Sequence, residues 1–258
     1  VKTFSPTVIR RRYIRGRHEG GRKMNKTLRA LLAGALVGAA TLAAAAADNS
    51  KNLAPGFVAL PQAARLVVMP VDVELYSLSA GGVPEPKADW TAHAQTYMKA
   101  ELVRRTQSIG LTAQLMDDKA ADEFAEPMAL HAAVARSIAL HHATGGVWSL
   151  PTKGGKLDWS FDDALRDLQA RSGADYGLFI WVRDSYASAE RKLAMVGLAL
   201  LGVGLTGGMQ MGYASLVDLN SGKVLWFNRL ARGSGDLREA KEAAESIEVL
   251  LTGFPKPQ

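Results

Sequence analysis

The sequence predicts an α/β fold: a mixed sheet of about five strands with helices packed on it, in a single domain. Three observations carry this. Apolar, β-branched stretches at 65–76, 176–182, 212–219 and 223–230 are separated by segments of helical periodicity. Tyr176–Val182 is almost continuously apolar, as a central strand covered on both faces must be. The last two stretches are joined by Asp218-Leu219-Asn220-Ser221-Gly222-Lys223, a hairpin turn, so part of the sheet is antiparallel.

Asn52–Pro61 is a Pro- and Gly-punctuated lead-in, and Arg65–Tyr76 reads as the first strand, followed by a Gly/Pro loop at Ser77–Pro86. Asp89 offers an N-cap for a helix through Ile109, which Gly110 ends; Leu111–Met116 is a short second strand. Pro127 suits the first turn of a helix running to about His142 and stopping at Gly145-Gly146. Ser160 with Asp163 has capping-box spacing for a helix Phe161–Ser172, with Gly173 as its stop. In the hairpin, Asn220 and Gly222 suit positive φ. Asp236 caps a last helix whose apolar stripe is Leu237, Ala240, Ala244, Ile247 and Leu251, stopped by Gly253 and Pro255.

The charge is uneven. The whole chain carries a formal +6, but residues 1–23 hold eight basic side chains and one acid, and from Asp48 onward there are 21 basic and 24 acidic residues. Without the leader the chain is mildly acidic and has no global basic footprint for nucleic acid. Met24–Arg29 is a short positive segment, Leu31–Leu42 an apolar run, and Ala45-Ala46-Ala47 a small-residue cleavage site, so 24–47 reads as a signal peptide and 48–258 as the working domain. A retained anchor is the rival reading, although the run is shorter than the roughly 20 residues a span needs. Residues 1–23 read as an upstream segment with Met24 as the start; Arg10-Arg11-Arg12-Tyr13-Ile14-Arg15 is the alternative, a twin-arginine signal. The chain has no cysteine, which removes disulfides, thiolate metal sites and cysteine nucleophiles.

Leu165–Phe179, with its helix, Gly-Ala-Asp and strand, and Ala214–Trp226, with its D-x-x-[TS]-G-x-x-x-W hairpin, resemble bacterial envelope proteins built like the TolB amino-terminal domain and the curli-export protein CsgG. The strand Leu66–Val71, carrying Met69-Pro70, is similar to their first strand. The resemblance covers about the last third of the chain plus that strand. It implies envelope assembly or accessory binding rather than catalysis. Gly173 would stop the helix, Asp175 enter the strand, Asp218 and Gly222 make the turn, and Trp226 anchor the hairpin to the core. Many members carry a lipid on an N-terminal cysteine, which this chain lacks.

No catalytic constellation assembles from the sequence. Gly202-Val203-Gly204-Leu205-Thr206-Gly207 fits G-x-G-x-x-G, but a strand and hairpin follow it instead of a helix. His131 and His142 are eleven residues apart, about 16 Å along a helix and too far for one metal ion. His141 and His142 suit the carbonyl end of their helix, and the pairs Asp117-Asp118 and Asp162-Asp163 suit helix starts. Ser234 lies in Gly-Ser-Gly rather than a nucleophile elbow. No cofactor and no metal are expected.

Leu193–Val217 is the unusual segment, 25 residues without a charge between Lys192 and Asp218. It reads in three ways: a buried core element, an apolar insertion near 193–210 that meets a partner or membrane surface, or a spanning helix. The contact residues under the second reading are Leu193, Met195, Val196, Leu198, Leu200, Leu201, Val203 and Leu205. The expected protein is an exported, periplasmic accessory or assembly factor, non-catalytic, binding an envelope protein, a second copy, or a membrane surface. The alternative is a periplasmic enzyme of unknown reaction using the Ser77–Pro86 loop or His93.

Overall fold

The computed structural model describes residues 51–258, apart from 110, 111 and 118. The leader assignments, Gly110 and Asp118 therefore lie outside the described residues. In chain order the elements are β1 (Arg65–Val68), β2 (Asp72–Leu78), β3 (Pro84–Pro86), α1 (Ala88–Ile109), β4 (Thr112–Leu115), α2 (Lys119–Glu123), α3 (Ala125–Ile138), α4 (Arg166–Ser172), β5 (Tyr176–Ala187), α5 (Ala189–Ala199), β6 (Gln210–Asp218), β7 (Val224–Arg232) and α6 (Ala240–Leu250).

These form one mixed sheet with helices on both faces, and β5 is its spine. Along one edge β5 pairs antiparallel with β6 from Tyr176↔Asp218 to Asp184↔Gln210, and β7 lies beyond β6. Along its other edge β5 pairs in parallel first with β1 and then with β2. The expected strand Arg65–Tyr76 is thus two strands on one line. Pro70 falls between them, and with no N–H it cannot donate to the ladder. That break, with the three-residue edge strand β3, makes seven strands among the described residues where about five were expected.

Alternation along β5 feeds two cores. Leu178, Ile180 and Val182 join Leu66, Val73, Met98 and Ile247 beneath α1 and α6. Phe179 joins Val67, Ile138, Leu165, Val217 and Phe227 beneath α3 and α4. The unbroken apolar run of this strand follows from burial on both faces. Past Phe179 the second face is shielded by side chains: Trp181 sits between the guanidinium groups of Arg183 (4.6 Å) and Arg136 (5.5 Å). Arg183 is in turn held by Asp72 at 2.7 Å and Glu74 at 3.4 Å.

The predicted turn and anchor residues have defined positions. Gly173 ends α4 at φ +62°, its N–H bonded to the Gln169 carbonyl at 2.8 Å. Asp175 clasps Arg65 through backbone and guanidinium, tying the starts of β5 and β1 together. Asp218 accepts the Asn220 amide at 2.9 Å, and Gly222 turns at φ +70°. A Cβ on Gly222 would lie 2.3 Å from the Asp162 carbonyl oxygen, so the 160–163 segment leaves space for glycine alone. Trp226 is fully buried and meets Phe254 edge to face at 5.3 Å; its indole N–H has no acceptor among the described residues, and packing holds the ring.

Three local expectations are corrected. Asn220 does not adopt positive φ; its side-chain carbonyl instead accepts Gln169 Nε2 at 2.8 Å. Ser160 accepts the Asp162 amide, but Asp163 pairs with Arg166, and a short 3-10 turn at Asp162–Leu165 precedes α4. The last helix begins at Ala240, because Asp236 spends its carboxylate on Arg238, leaving Leu237 buried ahead of the helix.

Candidate binding site: an apolar finger between β5 and β6

The connection from β5 to β6 is the unusual one in the fold. Instead of a short hairpin, the chain leaves the sheet at Ala187, runs out as α5, turns at Leu200–Gly202 and returns to β6 at Gln210. Its base is built from specific contacts. Ser188 caps α5, its Oγ accepting the Arg191 amide at 3.2 Å, while its own N–H donates to the Leu78 carbonyl. Arg191 is buried and staples three segments: Nε donates to the Thr206 carbonyl at 3.0 Å and a terminal nitrogen to the Ala80 carbonyl at 3.4 Å. On the return limb, Gly208 passes so close to β5 that a Cβ would lie 1.9 Å from the Ser185 oxygen. Met209 then zips to Ser185 through backbone and hydroxyl.

Under the base lies a buried polar network. The Asp184 carboxylate accepts the Tyr186 hydroxyl at 2.5 Å and Gln210 Nε2 at 2.8 Å. Gln210 Oε1 accepts Arg232 Nε at 2.7 Å, and Arg232 also reaches Glu245 and Ser246 on α6. The Tyr186 oxygen accepts the Leu237 amide at 2.7 Å, and Arg238 lies over the Tyr186 and Trp90 rings. Burial pushes the Asp184 carboxyl above its usual range against the pull of these donors; burial and the neighbouring Asp184 push the Tyr186 hydroxyl up. The two limbs therefore spring from a fixed platform coupled to α6.

Above that platform the finger is apolar on every side. Arg191, Ala194, Met195 and Leu198, at helical spacing, form the less exposed face, with Met195 packed against Gly207 of the return limb. The opposite stripe is apolar too, yet it faces solvent: Leu200 is 84% exposed, Leu201 77%, Leu193 75% and Val196 65%. Val203 and Met209 add to it. A helix that is apolar all round is ordinarily buried. Scaled by their exposure, these six side chains leave roughly 6–12 kcal/mol of hydrophobic free energy unused.

Of the eight contact residues expected from sequence, Leu193, Val196, Leu200, Leu201 and Val203 lie on the outer surface. Met195, Leu198 and Leu205 are half-buried, Met195 against Gly207 of the return limb. Leu193–Val217 is not one element: α5, the return limb and β6 divide it, and only the β6 part is core. Among the described residues no helix is long and apolar enough to cross a membrane, so the spanning reading of this segment fails. Gly202–Gly207 forms the turn and return limb. Sequence reasoning missed Arg191, Gly208 and Met209; the Gly207-Gly208 pair directly before a strand was the available signal of a close backbone approach.

The other candidates do not assemble. His131 is buried, 2.9 Å from the Ser215 hydroxyl, with its ring stacked on Phe179 at 5.1 Å, and burial lowers its pKa to about 3. The helix expected to run to His142 is α-helical only to Ile138 and continues as a π turn, where His141 and His142 bond the carbonyls of Trp148 and Lys51. His93 is exposed on α1, and the Ser77–Pro86 segment is strand at both ends with a loop at 79–83 between them, Ser77 being buried. A cleft of about 410 Å³ is lined by Lys51, His142 and Lys156 but by no serine, threonine or carboxylate. In a larger one of about 590 Å³, Arg105 is committed to Glu101 and Glu248.

No family model matches the chain, and no curated protein matches it. Among solved structures it is similar to the PelC dodecamer from Paraburkholderia phytofirmans, at 14% identity over 78% of this chain and 94% of that one, with a TM-score of 0.38. It is also similar to lipoprotein GNA1162 from Neisseria meningitidis, at 15% identity over 66% and 79%, TM-score 0.27. For the LpoB C-terminal domain from Salmonella enterica the values are 10%, 69% and 87%, TM-score 0.25. At these TM-scores the likeness assigns neither a family nor a function to this chain.

Proposed function

We propose that this is an exported envelope accessory or assembly protein that acts by binding rather than by catalysis, and that the finger at 189–209 is its docking element. The observation that carries the reading is the solvent-facing set Leu193 and Val196 on α5 and Leu200 and Leu201 in the turn after it, on an element whose base is tied down. A fold that spends a buried arginine and a glycine-only contact on fixing an apolar projection is holding it out for something to cover. Export is supported by the signal-like leader at 24–47, and an envelope setting by the hairpin motif ending at Trp226.

The test is expression from Met24 with a photo-crosslinking residue at position 200, followed by cell fractionation and intact mass. The expected result is a product beginning near Asp48, outside the cytoplasm, whose position 200 crosslinks to protein or lipid. A cytoplasmic product that retains Met24 would overturn the export reading. A processed product in which position 200 crosslinks no more than an exposed position on α1 would overturn the docking role.

A further inference from the structure

We infer that the surface covering the finger is the interfacial zone of a phospholipid bilayer; this rests on the reading of 189–209 as a docking element and names what it docks to. Side-chain chemistry is the first argument. Between Leu193 and Met209 there is no charged and no aromatic residue, and Thr206 is the one side chain that can hydrogen-bond. Protein interfaces carry about one hydrogen bond per 100–200 Å² and are enriched in aromatics and arginine. The finger offers none of that vocabulary. Aliphatic side chains and glycine alone give a protein partner no register, whereas acyl chains require none.

Size is the second argument. The finger exposes six large apolar side chains: Leu193, Val196, Leu200, Leu201, Val203 and Met209. A stable protein interface takes roughly 20–30 residues a side. A second copy docking through this element would bury too little to hold, but a bilayer needs no reciprocal surface.

Charge placement is the third. The charge-free zone ends abruptly at Lys192 and Glu190, both exposed at the foot of α5. That pattern is complementary to a bilayer boundary, with uncharged leucines at the acyl level and the ionised pair at the headgroups. Depth is limited by the return limb. The amides of 204–207 have no hydrogen-bond partner among the described residues. Backbone amides without partners are costly in hydrocarbon, so this limb stays in the hydrated headgroup layer. The turn at Leu200-Leu201 goes deeper, within the roughly 5–10 Å reached by interfacial helices. The finger wedges into one leaflet and does not span it.

The experiment is flotation of the purified processed chain, beginning near Asp48, with phosphatidylcholine vesicles, and with vesicles containing phosphatidylglycerol, for wild type and the double variant Leu200→Asp/Leu201→Asp. Residues 24–47 are absent from both proteins, so flotation reports on the folded domain alone. Wild type should float with both vesicle types, and the variant's bound fraction should fall at least tenfold. A Leu200→Trp variant supplies a readout that does not depend on loss of binding: its emission shifts to the blue on vesicle addition and is quenched by brominated acyl chains. Equal flotation of wild type and double variant, or a position-200 tryptophan unmoved by vesicles, would overturn the proposal. If neither protein floats and size-exclusion chromatography shows a wild-type oligomer that the double variant breaks, the lipid assignment falls while the docking role of the finger stands. If neither floats and both are the same monomer, the lipid assignment falls, and the docking role is decided by the position-200 crosslink.

Discussion

Acidification from pH 6.5 to 4.5 should destabilise the fold by about 2 kcal/mol through His131 alone. The ring is fully buried, stacked on Phe179, with Nε2 against Ser215 Oγ, and burial lowers its pKa from 6.5 to about 3. The folded imidazole stays neutral over this range while the unfolded chain takes up a proton below 6.5. Stability is therefore lost as pH falls from about 6.5 and levels off near 3. Each full unit is worth about 1.4 kcal/mol; half of the unfolded chains already carry the proton at pH 6.5, so two units give about 2 kcal/mol. Urea unfolding at pH 6.5, 5.5 and 4.5 measures this. His131→Gln is the comparison, because its amide can still meet the Ser215 hydroxyl but does not titrate. The lowered carboxyls of Asp175 and Asp236 lose their contribution at lower pH, as they must protonate first. If wild type and His131→Gln have the same pH slope, the imidazole is not held neutral by its burial.

Further outcomes follow from the finger and its platform. Asp184 has a raised pKa in the fold, so its contribution is complete below the unfolded value and is lost as pH rises through the folded one. Asp184→Asn should remove that rise-dependent loss, and an unchanged difference in denaturation midpoint between pH 5 and 8 would count against it. Gly208→Ala places a methyl against the Ser185 oxygen and should cost at least about 2 kcal/mol in chemical denaturation. Gly222→Ala, strained by φ +70° and by the Asp162 backbone, should cost a similar amount. Arg191→Ala should open the finger locally: limited proteolysis should cut within 200–208 while the melting temperature of the sheet stays within a few degrees.

Much of the fold was legible because its signals are local. The apolar run of β5, the Asp218–Gly222 turn and the Gly173 stop each encode their geometry in adjacent residues. What escaped was set by partners distant in sequence. Asp236 looks like a helix cap until Arg238, lying over Trp90 and Tyr186, claims its carboxylate. The first strand breaks at Pro70 while both halves keep pairing with β5, which only the register reveals. The finger was legible as an anomaly but not as a shape. Hydropathy marks 193–217 as one apolar block, yet β6 is apolar because two layers bury it and α5 is apolar although solvent surrounds it. Composition cannot separate those causes. Arg191 and Gly208, which decide that the helix stands out from the sheet, read in sequence as an ordinary basic residue and one glycine among many.

The outer face of α5 and the turn after it contribute little to the packing of the fold, which is what docking through them requires. The most direct measurement is urea unfolding of Leu200→Asp/Leu201→Asp beside wild type at pH 7. At 84% and 77% exposure, these leucines contribute little burial, so the double variant should unfold within about 0.5 kcal/mol of wild type. A loss of several kcal/mol would mean that both side chains are buried in the folded protein, and would contradict the claim.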